Sequence, residues 1–148
     1  MDLFTDVKRD ANGLEVLSAD ECLDLMRTQA VGRIGLSSGA LPLVLPVHFA
    51  IVGDEIMIIA RRGTTLDAAT RQAIVAFEVD ALDADTGAGW SVMVQGVARR
   101  TAGRDLPPAA HRVLARWVDP HHSHVVAVSM DFISGRRIDR VSACGPTV

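Results

Sequence analysis

VGRIGL at residues 31–36, LPLVLPVHFAI at 41–51, VAFEVD at 75–80 and GWSVMVQGVAR at 89–99 are the stretches that decide the fold, with ARRGTTLDAA at 60–69 set between them. The first four are short, rich in Val, Ile and Leu, and bounded by Gly, Asp and Ser, the pattern of β-strands joined by tight turns. Working outward, the pattern predicts strands over Val31–Ser37, Leu43–Val52 and Glu55–Ala60 in hairpin connection, then Ile74–Val79 and Trp90–Ala98 around a polar loop at Asp80–Gly89. Val125–Phe132 and Arg136–Arg140 complete the sheet. Pro42 and Pro46 cannot donate to a ladder, so their strand belongs at an edge or beside a ligand.

Three helices punctuate the strands. Ser18 and Glu21 have capping-box spacing, and Leu17, Cys22, Leu23, Leu25 and Met26 form an apolar stripe, which predicts a helix over Ala19–Thr28. Thr64 with Asp67 caps a short helix through Arg71. Pro107 and Pro108 open a third over Ala109–Trp117, stopped by Asp119-Pro120. Residues 1–13 are polar and aperiodic and read as a flexible arm, residues 14–141 as one domain and 142–148 as a tail. Many short strands with few helices indicate a mainly β protein, a small antiparallel barrel that closes its own edges and leaves ligands to a rim or a subunit seam.

The chain's 148 residues suffice for one core, and 49% hydrophobic with 22% charged residues is the composition of a folded protein. With two Trp, four Phe and no Tyr, that core must be mostly aliphatic. A net charge of -3 without a basic block argues against nucleic acid as a partner. No basic region followed by an apolar run opens the chain, and its longest apolar stretch, Leu41–Val52, holds two prolines and a histidine, so neither a signal peptide nor a membrane span is expected. Cys22 and Cys144 are far apart and not in metal or redox spacing, which suits a cytoplasmic protein with reduced thiols.

Arg61, Arg62, Gly63, Thr64 and Thr65 put two guanidiniums, a glycine and two hydroxyls at the start of a helix, the makings of a monophosphate site. The same residues also suit a solvated strand end with a helix cap. His48 can hydrogen-bond a ligand or serve as a polar strand residue, while Trp90 and Trp117 suit core, subunit seam or ring stacking. His121, His122 and His124, with Asp119 and His111 nearby, invite a metal reading. Adjacent strand residues point to opposite faces, however, and the cluster follows Asp-Pro, so a solvated loop is the better account. No Gly-x-Gly-x-x-Gly lies between a strand and a helix, which disfavours a dinucleotide fold.

In their order and spacing these motifs, from Leu17 to Ile138, resemble the FMN-binding split-barrel family related to pyridoxamine 5'-phosphate oxidase. The resemblance implies a homodimeric split β-barrel with FMN between subunits. Leu45, Pro46, Val47, His48 and Phe49 would lie along the flavin ring, Trp90 would belong to the same site, and Arg61, Arg62, Thr64 and Thr65 would form the phosphate turn. Related chains commonly carry Lys where Thr65 stands, so Arg61, Arg62 or Arg71 would have to replace an ammonium here. The implied activity is a flavin-dependent oxidoreductase acting on a small-molecule substrate. A deazaflavin-dependent reductase and a non-catalytic heme- or ligand-binding dimer are the alternatives. Oxidation of pyridoxamine phosphate itself would need a second phosphate site, for which Arg136, Arg137 and Arg140 are candidates that equally suit an exposed strand.

Overall fold

The computed structural model describes residues 7–139. Nine strands, β1 (Glu15–Val16), β2 (Val31–Ser38), β3 (Leu41–His48), β4 (Ala50–Val52), β5 (Glu55–Arg61), β6 (Ala73–Leu82), β7 (Gly89–Ala102), β8 (Ser123–Ser129) and β9 (Phe132–Ile138), alternate with helices α1 (Ala19–Met26), α2 (Thr65–Ala69) and α3 (Pro108–Leu114). The strands form one antiparallel sheet in the order β3-β2-β6-β7-β8-β5-β4, with β9 on β7 and β1 on β9. β3 pairs with β2 alone, so Pro42 and Pro46 do sit on an edge.

The 14-residue β7 splits the sheet. On one side it pairs with β6, while on the other its first half, Gly89–Gln95, holds β9 and its second half, Ala98–Ala102, holds β8. Between those halves lies Gly96, where a Cβ would stand 1.7 Å from the Ser129 carbonyl oxygen. Only glycine allows that approach. The expected strand Val125–Phe132 is accordingly broken: β8 ends at Ser129, the chain turns at Met130-Asp131, and β9 starts at Phe132 instead of Arg136. The expected strand Leu43–Val52 is broken too. It bends at Phe49, whose buried ring packs edge-on to Phe77 at 5.2 Å, and sends β4 to pair with β5 instead of continuing beside β2.

Inside the barrel Ile34, Ile56, Ile58, Phe77, Val92, Val94, Val126 and Val128 form the main core, aliphatic as the composition requires. α1 closes one end of it. Ser18 Oγ accepts from the Glu21 amide at 3.2 Å and Glu21 returns a bond to the Ser18 amide at 3.4 Å, so the capping box forms, and it leaves Leu17, Cys22 and Met26 facing the core. A cap of this kind is worth about 1 kcal/mol. A second, smaller core lies where α3 packs Ala110 and Leu114 on Met57, Val125 and Ala127. α3 gives way after Leu114 to a 3-10 turn, Ala115–Trp117.

The described part of the expected arm is a turn tied to the sheet: Asp10 accepts from the amides of Asn12 and Leu14 and from Arg136 Nε at 2.8 Å. Arg136 is therefore partnered, as is Arg137 with Glu15 at 3.3 Å. Residues 1–6, Arg140 and the tail with Cys144 lie outside the described residues.

Candidate functional site

The end of β3 and the end of β5 converge on a cleft of about 280 Å³ lined by Pro46, Val47, His48, Ile59, Arg61, Leu66 and Trp117. Two segments far apart in sequence, the Pro-Val-His run and the Arg-rich turn, are thus brought together. Trp117 stacks on His48 with centroids 3.8 Å apart and planes 20° off parallel, and the Arg116 guanidinium lies 5.6 Å from the Trp117 ring. The result is a flat aromatic wall with cations at its border, suited to a planar ligand bearing negative charge.

The turn beside the cleft is held by its own chain. Arg62 N–H donates to the His122 carbonyl at 2.9 Å, Gly63 N–H to Asp67 at 3.0 Å, and the Thr64 hydroxyl to the Arg61 carbonyl at 2.7 Å while it accepts from the Asp67 amide. Amides 62–64 are therefore engaged. What remains for an anion is the Thr65 hydroxyl, the amides of Thr65 and Leu66 at the start of α2, and the side chains of Arg61 and Arg62, which have no acidic partner among the described residues.

Behind the turn sits Asp67, 6% exposed. Its carboxylate accepts from Arg100 Nη1 at 2.7 Å, from the Gly63 amide and from His124 Nδ1. Burial alone would raise its pKa, but the His124 bond, the Gly63 amide and Arg100 together hold it below the usual carboxylate value. An ionised carboxylate only accepts, so His124 carries a proton on Nδ1.

The remaining expected residues lie elsewhere. Leu45 packs half-buried against the main core, Phe49 is buried beside Phe77, and Trp90 is buried in the barrel core. Arg62, Thr64 and Thr65 stand exposed on the turn and do not line the cleft. Arg71 lines a different cavity. Of the histidine cluster, His121 and His122 are on an exposed turn organised by Asp119, whereas His124 faces Asp67. Among the described residues no group of three His, Cys, Asp or Glu side chains is arranged to hold a metal ion. Ile59 and Leu66 were not foreseen in the cleft, and Asp67 was foreseen only as a cap residue. Nothing in the spacing announces that its carboxylate turns inward.

A nine-stranded antiparallel sheet split along one long strand, with a cleft between a proline-bearing edge strand and an Arg-rich turn, defines the class as a split barrel. The model of the pyridoxamine 5'-phosphate oxidase family matches residues 18–137, and the chain belongs to that family. It is 30% identical over 127 residues to the uncharacterized protein Rv0080 of Mycobacterium tuberculosis, covering 82% of this chain and 84% of that one. Among solved structures it is similar to the FAD binding protein from Mycobacterium smegmatis at 31% identity and a TM-score of 0.66, over 85% of this chain and 99% of that one. It also shares the fold of an FAD-binding protein from Mesorhizobium loti at 21% identity and a TM-score of 0.68, over 84% and 96% of the two chains.

Proposed function

We propose that this protein is a flavin-dependent oxidoreductase that binds FMN in the cleft between β3 and β5 and completes the site with a second copy of itself. The observation that carries the reading is the meeting of Pro46, Val47 and His48 with Arg61 across one aromatic-walled cleft. Bound flavin supplies the redox chemistry, and the chain supplies orientation and electrostatics. Pro46, Val47 and the His48–Trp117 stack would hold the ring, and Arg61, with Arg62 and Thr65 beside it, would hold the phosphate at the turn. The guanidiniums take over from the lysine that Thr65 replaces.

At about 280 Å³ the cleft is smaller than the roughly 300–1,000 Å³ of pockets that bury drug-sized ligands. A second wall is needed. The outer face of β6, β7 and β9 offers one, since it exposes Ile74, Met93, Val97 and Phe132, with Ile74 at 83% and Phe132 at 72%. Such a face is what an isologous dimer covers.

A second reading, FAD in place of FMN, is favoured by the 31% identical FAD binding protein. Titration with FMN, FAD, a deazaflavin and heme side by side separates the cofactors. Arg61→Ala is expected to weaken FMN binding by about 1.5–3 kcal/mol, the worth of a charged hydrogen bond, or roughly 10- to 150-fold. Unchanged affinity in that variant would place the phosphate elsewhere and refute the assignment.

A further inference from the structure

On the far side of Asp67 from the Arg61–Thr65 turn, the chain leaves α2 and enters β6 through Gln72, whose φ is 52°. Here Arg71, Gln72, Arg100, Thr101, Ala102 and His124 line a cavity of about 370 Å³ that shares no residue with the cleft. Five of these six side chains are polar, three are Arg or His, and none is acidic. Arg100 and His124 are held from behind by the Asp67 carboxylate, so both are fixed before any ligand arrives. Arg71 is exposed and has no acidic partner among the described residues. With Asp67 offsetting Arg100, the Arg71 charge is left over.

We propose that this cavity is a second anion site that takes the phosphate of a small phosphomonoester. A tetrahedral dianion offers acceptors in several directions, which suits two guanidiniums, an imidazole and an amide around one space, and guanidiniums bind phosphate bidentately. The absence of carboxylates from the lining removes a divalent cation as the occupant. The volume leaves room for the organic part of the ester. Asp67 links this site to the flavin turn, because one of its oxygens takes Arg100 and His124 and the other takes the Gly63 amide.

The test is an NMR titration of the full chain with inorganic phosphate at ionic strength held constant with chloride, repeated with glycerol phosphate and repeated with FMN at saturation. Saturable shifts at the Arg71, Gln72 and Thr101 amides and the His124 ring are expected, with FMN present or absent. Arg71→Ala should weaken them at least tenfold without moving the thermal unfolding transition, and Arg61→Ala should leave them intact. Glycerol phosphate should bind at least as tightly as phosphate. The proposal is overturned if the shifts do not saturate, if chloride reproduces them, or if Arg71→Ala leaves them unchanged. It is overturned equally if FMN abolishes them, which would make the cavity part of the flavin site. Those phosphate arms do not depend on flavin binding, so their failure is distinguishable from a failure of the flavin reading.

Discussion

Asp67 and Glu78 are both partly withdrawn from water, and their surroundings move them in opposite directions. Asp67, at the barrel end, is met by His124, the Gly63 amide and Arg100, which outweigh its burial and lower its pKa. Glu78, on the outer face of β6, is pushed up to about 7, first by burial and then by Asp80 beside it, against the smaller pull of Arg33 and Ser91. One guanidinium, Arg33, serves both carboxylates there, at 3.5 Å and 3.4 Å. Around Asp67 the packing is finished, and among the described residues no buried side-chain polar atom lacks a hydrogen-bond partner. The outer face, with shared charges and exposed Ile74 and Phe132, has the character of a surface that another molecule completes.

Asp67→Ala should have the largest effect, since it leaves Arg100 and His124 facing a hole. Breaking a buried ion pair from one side costs about 3–5 kcal/mol, to be read as a shift of the urea midpoint. The wild-type contribution of Asp67 is present at neutral pH. Its pKa is lowered in the folded state, so that stability is lost as the pH falls through the carboxylate range. Unfolding that is insensitive to the substitution would erase the contrast between the two regions.

Next in size is Phe132→Asp on the open face. Burying a Phe is worth about 1.5–3 kcal/mol, so placing a charge there should shift light scattering from dimer to monomer at micromolar concentration. Unchanged mass would mean the face is not the seam. The smallest effect belongs to Glu78→Gln. The carboxyl's folded pKa is raised from 4.5 to about 7, so its ionisation costs stability progressively as the pH rises from 4.5 through 7. The variant should flatten that decline in thermal unfolding measured against pH. The effect is limited because the Glu78 side chain is 30% exposed and screened by solvent.

Much of this architecture was legible in the chain because it is written in local chemistry. The capping box at Ser18, the Thr64 cap, the prolines that confine β3 to an edge and the aliphatic strands each have a short-range cause. The two broken strands did not. Phe49 has no glycine or proline beside it, and neither has Ser129-Met130-Asp131, so both bends are imposed by distant partners, Phe77 and Gly96. The site divides the same way. His48 and Arg61 came from motifs, whereas Trp117 reaches the cleft only because α3 packs on the outside of β4, β5 and β8. Trp90, a flavin residue by motif, is buried in the core because its register on β7 points it inward with Val92 and Val94.

The most direct test of the central claim is a titration of the purified, cofactor-stripped protein with FMN, followed by flavin fluorescence and by quenching of Trp117, with Trp117→Phe as the reference. Saturable binding at micromolar concentration or tighter, one FMN per chain, with the tryptophan quenching lost in the variant, is the predicted result. Absence of saturable flavin binding, or quenching that persists without Trp117, would contradict a flavin site walled by His48 and Trp117.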